Sequence, residues 1–164
     1  MTSSSSASSG SRDEPGGNVS KVLRCAPGFA TTGALGWEGV PLEAYKLTTE
    51  TYRGVTRREL VGKRGESPRF HLRYFEVAPG GFTTYERHEH EHVVVALRGR
   101  GVVLIGEERH EVGPGDVVYV APRDPHQFGA PSKVDEPFGF LCIVNAERDR
   151  PVPVDGFGVC DVCV

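Results

Sequence analysis

The stretch GGFTTYERHEHEHVVVALRGRG, from Gly80 to Gly101, sets three histidines at alternate positions, His88, His90 and His92, directly ahead of an apolar run. A glycine pair opens the stretch and RGRG closes it, so Val93–Leu97 reads as a strand ended by a tight turn. Further on, GPGDVVYVAPRDPHQF (Gly113 to Phe128) reads as turn, strand and loop, and brings one more histidine, His126. Imidazole nitrogens and carboxylate oxygens are the usual protein ligands for Zn, Fe, Mn, Ni and Cu. Three histidines within five residues, with a fourth behind a PGD turn, predict one metal ion held inside a small β-barrel.

Strand geometry limits which histidines can serve. Alternate residues of a strand share a face, but each step of two advances roughly 6.6 Å. Metal–ligand bonds are only about 2.0–2.2 Å long. His88, His90 and His92 therefore cannot all reach one ion from a straight strand: the chain must bend, or one of them is left out.

Outward from this stretch the chain keeps a strand rhythm. FHLRYFEV (Phe70 to Val77) alternates, with Phe70, Leu72 and Tyr74 on one side and His71, Arg73 and Phe75 on the other. Tyr74 and Glu76 share a face and are candidates to line the cavity. Val102–Ile105 with GEE and RHEV reads as a hairpin, Val117–Ala121 as a strand, and FGFLCIV (Phe138 to Val144) as the last strong strand. Turn signals about every ten residues, with no sustained helical period, point to an all-β fold, a small antiparallel sandwich or barrel. The expected organisation is a disordered serine-rich tail over 1–20, N-terminal strands or a flap over 21–69, the barrel core over 70–145, and a C-terminal tail over 146–164. The single tryptophan, Trp37, with Val40, Leu42 and Tyr45, suits a strand or flap laid over the core.

Composition narrows the function classes. The 164 residues carry 21 glycines and 12 prolines, which favours turns and short strands. A formal charge of −3 without a basic face argues against nucleic acid as a partner. The apolar run Val93–Leu97 is far too short to cross a bilayer, and the serine-rich N-terminus lacks the apolar core of a secretory signal. These features predict a soluble, cytoplasmic protein. The four cysteines, Cys25, Cys142, Cys160 and Cys163, then read as free thiols or redox and metal groups rather than structural disulfides. Cys160-x-x-Cys163 has the spacing of a redox pair, whereas Cys142, in mid-strand, reads as a small buried hydrophobe. Neither His71 nor His110 has a partner nameable from sequence, and Tyr85 points away from Glu86 by alternation.

The interval pattern resembles the cupin superfamily of small β-barrels. That family's first motif runs Gly, five residues, His, one residue, His, three or four residues, Glu, six residues, Gly. From Gly80 these intervals fall on Glu86, His88, His92 and Gly99, with Glu86 standing where the first His is expected and His92 where the Glu is. The second motif starts at Gly115 and reaches His126 in register, with Ala121 in place of its Pro, Arg123 of its Gly and Ala130 of its final Asn. The resemblance, over roughly residues 70–145, implies a jelly-roll barrel and the ligand set Glu86, His88, His92 and His126. The alternative set replaces Glu86 by His90. With a carboxylate among the ligands one divalent Fe, Mn or Ni is favoured, and with four imidazoles Zn or Cu.

The function expected on this basis is a metalloenzyme acting on a small organic molecule, with Val94, Phe128 and Phe140 as barrel walls. The family resemblance implies dioxygenase-type oxidoreductase chemistry first. Its alternatives are a non-redox isomerase, lyase or cyclase using Glu86 or His90 as the acid–base group, and a non-catalytic metal- or small-ligand-binding cupin. A third role is that of a partner subunit acting through the C-terminal cysteine pair. The family also implies a homodimer formed through edge strands, with Trp37 to Tyr52 contributing to the interface.

Overall fold

The computed structural model describes residues 20–26, 35–46, 51–66 and 69–155. The serine-rich segment ahead of Ser20 and the Cys160–Cys163 pair lie outside them. Among the described residues the regular structure is strand alone: β1 (Glu43–Ala44), β2 (Arg53–Val61), β3 (Phe70–Phe82), β4 (Glu86–Arg87), β5 (His92–Arg98), β6 (Gly101–Ile105), β7 (Glu108–Val112), β8 (Val117–Val120), β9 (His126–Gly129), β10 (Phe138–Asn145) and β11 (Val152–Pro153). Every pairing is antiparallel, in a curled sheet of order β11-β4-β9-β3-β10-β5-β8, with β2 on β3 and the β6–β7 hairpin joined through β9. The all-β antiparallel barrel expected from the turn rhythm is the observed fold.

β3 is the longest strand and turns the corner of the barrel. Its first eight residues pair with β10, Phe70 opposite Asn145 and Val77 opposite Phe138, whereas its end pairs with β9 through Phe82 and Gly129. Between these two partners Gly80 takes φ +70°, a left-handed conformation that costs glycine least. Gly99 closes β5 in the same way at φ +62°, and a Cβ there would stand 2.3 Å from the Pro137 carbonyl oxygen. The RGRG turn therefore needs glycine for its conformation and for space.

The alternation of FHLRYFEV is real, and both of its faces are covered. Phe75 and Val77 face the barrel interior with Val94, Val103, Val120, Phe128, Phe138, Phe140 and Cys142. Leu72 and Tyr74 face the other way, into a second cluster with Val40, Leu60 and Trp37. Trp37 meets Tyr74 edge to face, with centroids 5.2 Å apart. Leu35, Trp37 and Val40 thus lie as a flap over the back of the sheet, the tryptophan is packing, and Tyr45 at the end of the segment turns inward onto Phe75. Inside, Phe128, Phe138 and Phe75 each contact the Phe140 ring at centroid distances of 5.0–5.4 Å, which makes an aromatic floor beneath the histidines.

Candidate metal centre

Two neighbouring parts of the sheet carry the histidines. β4 pairs with β9 so that Glu86 stands opposite His126, and β5 begins at His92, opposite Val120 of β8. Between β4 and β5 the strand breaks, and residues 88–91 turn. The break answers the reach problem of a straight strand. Ring nitrogens of His88, His92 and His126 lie within 4.8 Å of one another, and all three residues are buried. A second loop braces the turn: the Arg123 backbone N–H donates to the His88 carbonyl at 2.7 Å, and the Arg123 guanidinium pairs with Glu89 at 2.7 Å. Arg123 itself holds φ +70°. It stands where the motif has glycine, and it accepts the left-handed strain there.

Tautomers follow from the acceptors. His88 Nδ1 is 2.7 Å from the His90 carbonyl and His126 Nδ1 is 2.9 Å from the Asp124 carbonyl. A carbonyl only accepts, so both rings carry their proton on Nδ1 and leave Nε2 as a bare lone pair. The His88 Nε2 is buried without any hydrogen-bond partner. Bare Nε2 atoms with Nδ1–H groups anchored to carbonyls are the arrangement that metal-binding histidines adopt. These residues fit a divalent transition metal.

Burial and mutual repulsion disfavour the protonated forms of His88, His92 and His126. Burial pushes His126 down to about 4. His92 is driven well below the ordinary range, by burial first and then by His126 and His88. His88 is lowered by burial and by His90. A site of neutral imidazoles at physiological pH is ready to accept a cation without displacing protons.

Glu86 and His90, the two rivals for the fourth position, meet different partners. The Glu86 carboxylate is buried and accepts a charge-assisted hydrogen bond from Lys46 Nζ, which also donates to Thr84 Oγ1 at 3.0 Å. Burial raises Glu86, and Lys46 opposes that shift. His90 Nδ1 donates to Asp149 Oδ1 at 2.6 Å, and its Nε2 lies 3.3 Å from His92 Nε2. Asp149 is held at about 2 by the Glu89 backbone N–H first and then by the His90 ring.

A cavity of about 220 Å³ opens beside the cluster. His90, His92, His126 and Glu86 border it, Phe128 and Phe140 supply apolar wall, and Lys46, Arg57, Arg73 and Arg148 supply positive charge. Sequence reasoning missed the four cations and Asp149. One signal could have found Arg73, since alternation had already set it on the face of Phe75. Other expectations need correction. Tyr74 and Glu76 do not line the cavity: the Tyr74 hydroxyl donates to Glu76 at 2.9 Å on the flap side of the sheet. Val94 packs in the core rather than on the cavity wall. His71 does have partners, with Nδ1 3.1 Å from Glu59 and 3.2 Å from Arg148. Tyr85 is structural, packed with Val102 and Leu104 and donating to the Gly106 carbonyl. Cys142 is fully buried, as expected, but its sulfur also accepts from Arg73 at 3.3 Å and lies 3.7 Å from His92 Nδ1. No helix among the described residues is long and apolar enough to cross a membrane.

The sequence pattern of the cupin domain matches residues 73–144. A relative in Rhodospirillum rubrum, 1-methylthio-D-xylulose 5-phosphate methylsulfurylase, is 48% identical over 116 residues, which is 70% of this chain and 72% of that protein. A crystal structure of a cupin-2 domain protein from Rhodospirillum rubrum superposes with a TM-score of 0.65 at 48% identity, over 73% of this chain and 78% of the other. A conserved cupin-2 barrel protein from Rhodopseudomonas palustris does so with a TM-score of 0.64 at 42% identity, over 71% and 79%. Barrel, spaced histidine motifs and relatives agree: the chain belongs to the cupin family.

Proposed function

We propose that this cupin is a metal-dependent enzyme acting on a methylthio-substituted ketopentose phosphate, at its carbon–sulfur bond. The observation that carries this reading is the 48% identity to a protein named 1-methylthio-D-xylulose 5-phosphate methylsulfurylase, spread over more than two thirds of both chains. The cavity supports it, since cations and an aromatic wall beside a histidine cluster suit a small, anionic substrate that has an apolar methylthio end.

His88, His92 and His126 would hold a divalent metal, with His90 rather than Glu86 in the fourth position. The His90 Nε2 lies 3.3 Å from the His92 Nε2, whereas the Glu86 carboxylate is engaged by Lys46. A bound divalent ion supplies a Lewis acid for the oxygens of a ketose. Asp149 orients the His90 ring through Nδ1. Lys46 Nζ, paired with buried Glu86 on the cavity wall, holds a proton within reach of a substrate carbon or oxygen that becomes basic. Phe128 and Phe140 exclude water around the methylthio group. The protein is further proposed to be cytoplasmic and to work as a homodimer.

The test is direct. Purified protein is reconstituted with Mn, Fe, Ni, Co or Zn and incubated with 1-methylthio-D-xylulose 5-phosphate, with and without a low-molecular-weight thiol. Proton NMR should show the sugar-linked S-methyl resonance lost only when metal is present. An unchanged resonance with every metal overturns the reading. Metal-dependent oxygen uptake on a small organic substrate would instead support the dioxygenase-type chemistry, and turnover without S-methyl loss would support the isomerase, lyase or cyclase class. Tightly held metal with no turnover would support a binding cupin.

A further inference from the structure

We infer that Arg57, Arg73 and Arg148 form an oxyanion clamp on the inner wall of the barrel that receives the phosphate monoester of the substrate and sets specificity for a phosphorylated sugar. The inference rests on the reading above for the identity of the substrate, but the clamp is argued from the arginines themselves.

Register brings two of them to the inner face. Arg57 is paired with Phe75 across β2 and β3, and Glu59 with Arg73. Across β3 and β10, Arg73 is paired with Cys142. Residues directly opposite in an antiparallel pair share a face, so Arg57, Glu59, Arg73 and Cys142 all point the way that Phe75 points, toward the interior. Arg148 arrives from beyond β10, its Nη1 held by the Asn145 carbonyl at 3.0 Å. All three arginines border the same cavity as His90, His92 and His126.

Their hydrogen bonding is incomplete. The Nε of Arg57 and the Nε of Arg73 are both buried without a partner. A guanidinium has five N–H donors and no acceptor, and a buried donor left unmade carries its full desolvation cost. Partial contacts hold each guanidinium in place. Arg57 Nη2 meets Glu43 at 2.9 Å, and the Arg73 guanidinium lies 5.2 Å from the Phe75 ring centroid with Nη2 on the Cys142 sulfur. These contacts orient the forks and leave donors for an anion.

Charge points the same way. Lys46, Arg57, Arg73 and Arg148 border the cavity against one carboxylate among the described residues, Glu86, which Lys46 already engages. Buried Glu59 stands behind Arg73 and near His71, and Arg57 has Glu43 at the rim, so carboxylates offset only part of the arginine charge. Burial and then the neighbouring Arg73 depress Arg148, and Glu59 opposes that shift only in part. A phosphate monoester, a dianion with three acceptor oxygens, matches planar guanidinium forks better than any neutral or monoanionic ligand does. The clamp also adjoins the metal centre. One sulfur atom separates them, with Cys142 Sγ 3.3 Å from Arg73 Nη2 and 3.7 Å from His92 Nδ1. A substrate phosphate seated on the arginines would present its sugar to the histidines.

The experiment measures binding of inorganic phosphate, D-xylulose 5-phosphate and D-xylulose by calorimetry to the metal-loaded protein and to its Arg57→Gln, Arg73→Gln and Arg148→Gln variants. The expected result is that the phosphorylated sugar binds wild type at least tenfold more tightly than D-xylulose. Each Gln variant should lose about tenfold or more in affinity for phosphate and for the phosphosugar, with metal content by elemental analysis unchanged. Arg73→Lys, which keeps the charge but not the fork, should fall between. Gln variants that bind the phosphosugar as tightly as wild type overturn the clamp and leave the proposed substrate standing. Phosphate binding that is lost on chelation yet intact in all three variants also overturns it, because the anion then sits on the metal. Arginine-dependent phosphate binding in a protein that never releases the S-methyl group supports the clamp and overturns the substrate reading. If Arg73→Gln unfolds because Glu59 loses its neighbour, Arg57→Gln, whose partner Glu43 lies at the rim, carries the same readout.

Discussion

Lys46 Nζ donates to the buried carboxylate of Glu86, the residue that stands cross-strand from His126. This contact favours His90 over Glu86 for the fourth ligand position in the reading proposed above, because a carboxylate engaged by an ammonium group is a poor ligand, while the His90 Nε2 lies 3.3 Å from the His92 Nε2. Glu86→Gln should therefore retain metal at close to wild-type stoichiometry, and His92→Ala and His126→Ala should lose it. His90→Ala should bind metal more weakly by about tenfold or more, at least the loss that removing a hydrogen-bonding partner of a metal ligand brings. Elemental analysis after dialysis against a mild chelator reads all four. Metal lost from Glu86→Gln and kept by His90→Ala would restore the carboxylate to the ligand set.

The metal-free protein should lose stability as pH falls. His126 is held at about 4 by burial, and His88 and His92 are also lowered, against an ordinary value of about 6.5. Below that ordinary value the unfolded chain binds protons that the folded chain refuses, so the unfolded state is favoured as the solution is acidified. Stability should be flat above about pH 7 and decline between about pH 6.5 and pH 4. Thermal melts of chelator-treated protein across this window check it; a midpoint that does not move from pH 7 to pH 4.5 would show that the histidines are not buried neutral.

Phe138 is fully buried against Phe140 and faces Val77 across β3. Phe138→Ala should cost about 3–5 kcal/mol, the sum of lost burial and the cavity left behind. Urea unfolding reads this as a lower midpoint at unchanged slope. A loss below 1 kcal/mol would mean that the floor of the barrel collapses to fill the space.

Arg123 holds φ +70°, and a left-handed residue other than glycine costs about 1–2 kcal/mol. Arg123→Gly relieves that strain, gives back about 0.5–1 kcal/mol through the freer unfolded chain, and loses an exposed pair with Glu89. The net expectation is stabilisation by about 0.5 kcal/mol with metal content unchanged, since the backbone N–H to the His88 carbonyl remains. Clear destabilisation in urea would give the guanidinium a larger part in bracing the turn.

The proposed homodimer has candidate surfaces. β8 ends the strand order and exposes Val117 at 64% and Tyr119 at 59%, and the flap exposes Leu42. Exposed apolar side chains beside an open edge are the kind of surface a second copy covers. Light scattering at micromolar concentration should give twice the chain mass of 17.8 kDa. A monomeric mass would dispose of the dimer.

The sequence by itself determined the architecture and the neighbourhood of the site. Period-two apolar runs and glycine turns are local signals, so FHLRYFEV, VVVAL, VVLI and FGFLCIV were legible as strands, and the intervals between Gly80, His88, His92, Gly99 and His126 pointed, through the resemblance to cupins, to one metal site within the barrel. Only tertiary structure decided the partnerships. Lys46 reaches Glu86 across 40 positions, Asp149 reaches His90 across 59, and β2, β3 and the chain beyond β10 bring Arg57, Arg73 and Arg148 to one cavity. Three equal histidines in HEHEH became unequal for the same reason. What a ring nitrogen can do is set by the acceptor on its other side, and those acceptors come from the turn's own backbone for His88, from Asp124 for His126 and from a distant carboxylate for His90.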